Sequence, residues 1–228
     1  SKVEVLRGPQ GTLFGRNASA GLINVFTRSP LDYQGTMAKV SYGSYNDLLV
    51  AASTYHKLNQ RFGLSLAANY HHNDGFQTNT FLNNKADRIG NGTIRLGATW
   101  KPIDRWTARF TAALDLTQQN GYPYAPYNPQ TGMLQPIAYN RKSTYRRLVG
   151  TLGMSWRYDA ESWSMNSQTA FQHNDGSVEV DQDYSPRDIF AVKMPHWQNQ
   201  VSQEFTFRST NESRYQWIVG AFGFHQHE

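Results

Sequence analysis

The stretch Trp106-Thr107-Ala108-Arg109-Phe110-Thr111-Ala112-Ala113-Leu114-Asp115-Leu116-Thr117 decides the fold. Trp106, Ala108, Phe110, Ala112, Leu114 and Leu116 share one parity, and Thr107, Arg109, Thr111, Asp115 and Thr117 share the other. Successive side chains of an extended chain point to opposite sides, so this repeat of two is a β-strand with one apolar and one polar face. The pattern recurs outward in both directions. Residues 62–70 set Phe62, Leu64, Leu66, Ala68 and Tyr70 against Ser65, Ala67 and Asn69, and residues 91–101 set Ile94, Leu96, Ala98 and Trp100 against Thr93, Arg95 and Thr99. Residues 147–158 set Leu148, Leu152, Met154, Trp156 and Tyr158 against Arg147, Thr151, Ser155 and Arg157. Residues 201–208 set Val201, Gln203, Phe205 and Phe207 against Ser202, Glu204, Thr206 and Arg208. Weaker alternation over 36–42, 48–55, 163–173 and 215–224 brings the expected number of strands to about nine.

The connections between these strands alternate in length. Residues 58–60, 102–104, 159–162 and 209–214 read as tight turns, whereas 73–90, 118–145 and 174–196 read as long polar loops. Only 43–46 is short where a long loop is due. Short turns on one rim and long loops on the other are the layout of outer-membrane barrels. Tyr70, Trp100, Trp106, Trp156, Tyr158 and Trp163 stand at strand ends on apolar faces, where amphipathic rings meet lipid headgroups. A soluble β-sandwich usually fills mid-strand positions with Val, Ile and Leu, while here those positions are often Ala, Gly or Leu and the bulky rings sit at the strand ends. A bacterial barrel closes with an even number of strands, so nine are expected to be part of a larger wall.

Composition narrows the function classes. The chain has 228 residues, 22 basic against 17 acidic, a formal charge of +5 and no cysteine. The basic residues are scattered rather than clustered, which argues against nucleic acid as partner. Mean hydropathy is −0.65, and no run approaches the ~18 apolar residues of a membrane helix; a transmembrane strand needs only one apolar face. The absence of cysteine removes disulfides and thiolate metal sites.

Before residue 30 the sequence changes character. Val3-Glu4-Val5-Leu6-Arg7-Gly8-Pro9-Gln10-Gly11-Thr12-Leu13-Phe14-Gly15-Arg16-Asn17, followed by Gly21-Leu22-Ile23-Asn24-Val25-Phe26-Thr27, resembles the C-terminal part of the plug domain of TonB-dependent outer-membrane receptors. Ser202-Gln203-Glu204-Phe205 and Tyr215-Gln216-Trp217-Ile218-Val219-Gly220-Ala221 are similar to a pair of barrel strands in the siderophore-receptor branch. Two departures are mild: Ala20 replaces the first Gly of a usual Gly-Gly pair, and Phe14 stands where Tyr is commoner. The resemblance implies an all-β chain, with residues 1–30 the end of the plug and 31–228 the first part of a barrel of about 22 strands. It implies a bacterial outer-membrane receptor that imports a scarce nutrient, most often a ferric siderophore, with haem, cobalamin or an oligosaccharide as alternatives. No cofactor and no catalytic residue are implied. The implied partners are the TonB-ExbB-ExbD complex, contacted through a segment outside this chain, outer-membrane lipid and the ligand.

The resemblance also implies site residues. Plug arginines of the family pair with glutamates of the barrel wall; Arg7 is the first candidate, Arg16 the second, and Glu204 their partner. Physically, Gly8, Gly11 and Gly15 permit tight turns and Pro9 fixes one. A phosphate-loop reading of Gly11 to Gly15 fails on spacing and lacks the Lys and Ser/Thr. In the loops, Tyr122, Tyr124, Tyr127 and Arg141 offer rings and charge to an anionic chelate. His71 and His72, adjacent in a strand, point to opposite faces and cannot easily share an ion. Glu179, Asp181 and Asp183 have no nucleophile or His spaced to join them in acid–base chemistry. A passive porin has no plug, and a soluble carbohydrate-binding sandwich lacks the alternation of loop lengths.

Overall fold

The computed structural model describes residues 2–8, 20–211 and 214–228. Strands follow in the order β1 (Lys2–Arg7), β2 (Gly21–Phe26), β3 (Gly35–Gly43), β4 (Asp47–Asn59), β5 (Phe62–Asn73), β6 (Thr78–Asn79), β7 (Asn84–Lys85), β8 (Ile89–Trp100), β9 (Trp106–Asn120), β10 (Tyr127–Asn128), β11 (Met133–Leu134), β12 (Thr144–Asp159), β13 (Trp163–Asp181), β14 (Ala191–Ser209) and β15 (Ile218–His227). Nine of them form one antiparallel sheet in the order β15-β14-β13-β12-β9-β8-β5-β4-β3. Each sheet strand pairs with its sequence neighbour in the sheet, an up-and-down meander. β1 and β2 form a separate antiparallel pair, and β6/β7 and β10/β11 are short ribbons within the loops.

The register aligns the two parities across the sheet. Leu66, Leu96, Ala112, Leu152, Phe171 and Val201 stand directly opposite one another along one row of the apolar face. Gly63, Thr99, Arg109, Ser155, Gln168, Glu204 and Phe222 form a row of the polar face. On the apolar face Leu96 is 52% and Leu152 56% exposed. A soluble sandwich would cover these groups with a second sheet, and among the described residues none lies there. A hollow on this face is lined by Leu64, Leu66, Leu96, Phe110, Leu152 and Met154, an apolar lining of the kind that suits lipid chains. From Leu148 to Trp156 β12 rises about 26 Å, or roughly 20 Å along the membrane normal at the usual tilt.

At the turn rim the apolar face ends in a chain of rings. Trp100 and Trp106 each meet Trp156 at 6.3 Å, Trp106 meets Tyr158 at 4.9 Å, Tyr158 meets Trp163 at 5.6 Å and Trp163 meets Phe207 at 6.3 Å. Ala108, opposite Trp100 and Trp156, is fully buried. Edge and tilted contacts suit the ring quadrupoles, and such a girdle sits at headgroup depth.

The opposite face receives the segment that leads into β3. Pro30 lies across Gly63, where a Cβ would come within 3.0 Å of the Pro30 carbonyl carbon and oxygen. Leu31 is buried, and Tyr33 packs edge-on to Tyr55 at 5.3 Å with the Arg28 guanidinium 4.2 Å from its ring centre. Tyr55 and Gly63 both have polar-face parity, so the chain enters the sheet from that side.

Two strand expectations need correction. The stretch 174–196 is not a long loop: β13 continues to Asp181 and β14 begins at Ala191, leaving a short connection at 182–190. Pairing persists because backbone hydrogen bonds need no lipid, and on the outer side Glu179 and Lys193 close an ion pair of 2.6 Å. Residues 215–217 precede β15 rather than belong to it. The register of β15 sets Val219 and Ala221 opposite Phe207 and Phe205, while Phe222 and Phe224 take the polar-face parity opposite Glu204 and Ser202.

Candidate ligand-binding face

The long loops form one interlocked layer above the sheet. In the connection between β5 and β8, the Asp87 carboxylate accepts the backbone N–H groups of Phe76 and Gln77, both at 2.9 Å. Gly75, at φ +90°, passes so close to Asp87 that a Cβ would collide with it. Asn79 is fully buried; its Oδ1 accepts from the N–H groups of Phe81 and Leu82, and its Nδ2 donates to the Tyr139 carbonyl at 2.9 Å. Thr80 N donates to the Ile137 carbonyl at 2.8 Å. Ala86, Ile137 and Tyr139 make a small core with Leu82 and Ala125 packed on it. Burial pushes the Tyr139 hydroxyl pKa up, since its ionised form loses water.

The connection between β9 and β12 is tied in turn to the β13–β14 hairpin. Asp181, 1% exposed, accepts the Arg141 N–H at 2.9 Å, while its own N–H donates to Ser143 Oγ at 3.1 Å. Asn140 N donates to the Ser185 carbonyl. Arg141 grips Asp188 with Nε at 2.7 Å and Nη2 at 3.0 Å. That contact holds the Asp188 carboxyl below its ordinary value and the Arg141 pKa above its own. Asp183 caps the hairpin by accepting N–H groups from Ser185, Ile189 and Phe190; the Ser185 hydroxyl first, and then these N–H groups, hold its pKa below the ordinary value.

The tyrosines foreseen for ligand contact divide. Tyr122, at φ +61°, stacks obliquely on Tyr124 at 6.1 Å, and Tyr124 meets Tyr184 edge-on at 5.3 Å. Tyr127 stands exposed on the β10/β11 ribbon opposite Leu134. Arg141 is committed to Asp188. His71 and His72 do diverge, His71 to Asp47 at 2.8 Å and His72 to Asp74 at 2.9 Å. Glu179, Asp181 and Asp183 are engaged by Lys193, the Arg141 backbone and the hairpin respectively. Among the described residues no group of three or more His, Asp or Glu side chains is placed to hold a metal ion.

Of the plug-motif residues, Pro9, Gly11, Gly15 and Arg16 lie outside the described residues. Gly8 adopts φ +86°, and Arg7 pairs with Gly21 in the β1–β2 ladder. Glu204 lies on the polar face between Gln168 and Phe222 and accepts from Thr206 Oγ1 at 3.1 Å. Among the described residues no ion pair joins Arg7 to Glu204.

The sequence reading missed the upper polar wall, because it took 174–196 as loop. Tyr145, Val178 and Met194 stand opposite one another there, and Arg147, Gly176 and His196 form the next row toward the turn rim. The alternation Ser177-Val178-Glu179-Val180-Asp181 was the available signal.

No protein-family model matches the sequence. The pesticin receptor of Yersinia pestis is 28% identical over 232 residues, covering 93% of this chain and 31% of the receptor. The crystal structure of the ferric yersiniabactin uptake receptor FyuA from Yersinia pestis superposes with a TM-score of 0.81 at 22% identity, over 98% of this chain and 35% of that one. The ferric-catecholate import receptor Fiu from E. coli K12 superposes with a TM-score of 0.77 at 12% identity, over 98% of this chain and 39% of that one. The chain thus spans about a third of the length of the proteins it matches. Its motif, its meander of tilted strands and its relatives agree: over nearly its whole length the chain is similar to one continuous part of a TonB-dependent outer-membrane receptor.

Proposed function

We propose that the protein containing this chain is an outer-membrane receptor that imports a ferric siderophore with energy delivered through TonB. Residues 1–30 would be the end of its plug and residues 31–228 the first strands of its wall. The observation that carries the reading is the asymmetry of the sheet. One face is apolar and ringed by tryptophans at the turn rim, the other is polar and receives the Pro30 segment, and the loops gather into an ordered layer at one end. A barrel with a ligand-facing cap and an occupied interior needs this division. Glu204, facing the polar side without an ion-pair partner among the described residues, supports a plug arginine as its partner, with Arg7 the first candidate. A glutamate kept near a plug needs such a charge.

The test is uptake. Cells lacking the gene should lose accumulation of an iron-labelled chelate that wild-type cells take up, and collapse of the proton-motive force should abolish uptake while leaving surface binding intact. Undiminished accumulation of every ferric chelate tried would end the iron reading.

A further inference from the structure

We infer that the polar wall at the loop rim carries a subsite for an anionic ferric chelate built on aromatic rings; this rests on the receptor reading above. The subsite has two tiers on β12, β13 and β14. The upper is Tyr145, Val178 and Met194, directly opposite one another on adjacent strands. Met194 is 49% exposed. The lower is Arg147, Gly176 and His196.

Gly176 sets the geometry of the lower tier. It is buried, and a Cβ there would lie 2.7 Å from His196 Cε1 and 2.9 Å from Nε2. The imidazole therefore lies across the glycine and leans toward β12, where Arg147 stands. Any larger residue at 176 pushes the ring away and also presses on β12, since its Cβ would lie 2.9 Å from the Arg146 carbonyl oxygen.

The charge of Arg147 is uncommitted. Arg105, Arg141, Arg157 and Lys193 each hold a carboxylate; among the described residues Arg147 has no such partner. Asp115 is the nearest acid by register, two positions from Thr117, which faces Arg147, and it accepts from Thr93 Oγ1 at 2.6 Å. Asp175 and Glu179 have the opposite parity. A guanidinium is charged at every relevant pH and binds planar oxyanions through two parallel N–H groups. An imidazole N–H beside it adds a donor, and the Tyr145 ring with the soft Met194 side chain adds a surface for a flat apolar group. A phenolate- or catecholate-bearing chelate satisfies both tiers at once. A neutral chelate built on aliphatic hydroxamates uses neither.

The deciding experiment uses the full-length receptor in detergent, with folding judged by the heat-dependent gel shift of a closed barrel. The probes are a ferric tris-catecholate and a ferric trihydroxamate. Wild type should bind the tris-catecholate preferentially. Arg147→Gln should weaken that binding at least tenfold, and His196→Ala, which removes the imidazole and leaves Gly176 in place, should weaken it several-fold. If Arg147→Gln fails to fold, the His196→Ala result decides. Undiminished tris-catecholate binding by a folded variant overturns the subsite. Wild type binding only the trihydroxamate also overturns it while leaving the receptor reading in place. Binding of neither chelate defeats the ferric-chelate reading and the subsite with it.

Discussion

The two rims of the sheet are built on different principles. At the turn rim, strands are joined by a few residues, and the contacts are between rings on neighbouring strands or, for Trp100 and Trp156, across the small Ala108 of the strand between them, Trp100 to Trp156 to Trp106 to Tyr158 to Trp163. At the loop rim, buried polar groups hold together segments far apart in sequence, as Asn79 holds Tyr139 and Asp181 holds Arg141. The first rim is a surface made for lipid headgroups. The second is an ordered aqueous layer, and its buried polar groups define one arrangement because leaving any of them unpaired is costly.

The comparison can be broken by substitution. The largest effect should come from Tyr139→Ala, which empties the small loop core and should cost about 3–5 kcal/mol of loop-layer stability. Limited proteolysis of intact cells should then cut the loops much faster while the gel shift of the barrel stays unchanged. Next, Leu96→Arg on the lipid face should cost about 2–4 kcal/mol of barrel stability, read from urea unfolding in lipid vesicles, whereas Thr93→Arg on the polar face of the same strand should cost far less. Asp181→Ala frees the Arg141 N–H and should weaken the loop layer by about 1–3 kcal/mol. Arg141→Ala removes an exposed pair and should change it by no more than about 1 kcal/mol, with the difference shrinking in high salt.

A pH effect should be the smallest. Hydrogen bonds from Asn46 and then His72 hold the Asp74 carboxyl below its ordinary value of 3.8, as Arg141 does for Asp188. A depressed carboxyl stabilises the fold above its unfolded pKa, and that contribution is lost as pH falls from the unfolded value through the folded one. Loop protection against proteolysis or hydrogen exchange should therefore be flat from neutral pH down to about 4 and decline only below it.

The turn rim and the two faces were legible in the sequence because their information is local. Parity along 106–117 already assigns Arg109 and Phe110 to opposite faces, and the register confirms it. The loop rim was less legible for a physical reason. Asn79 and Tyr139 are sixty residues apart, and nothing in either neighbourhood announces the other. Arg141 reads as available to a ligand because its partner Asp188 lies far along the chain, in the turn of the β13–β14 hairpin. The ends of β13 and β14 escaped because the contrast inverts there: Val178, Val180 and Met194 take the parity of the polar face, while Glu179 and Lys193 take that of the apolar face. The strand over 215–224 was legible but its outward face was not, since Phe222 and Phe224 put rings on the polar face.

The most direct test of the account is topological. The chain has no cysteine, so in a full-length protein whose cysteines outside this chain are replaced, single cysteines placed at Thr131, an exposed loop-rim position, and at Asp104, in an exposed turn, report their own accessibility. A bulky maleimide that cannot cross the outer membrane, added to intact cells, should label Thr131→Cys and leave Asp104→Cys unlabelled until the membrane is permeabilised. Labelling of Asp104→Cys in intact cells, or protection of Thr131→Cys, would contradict the assignment of the loop rim to the outside and with it the receptor account.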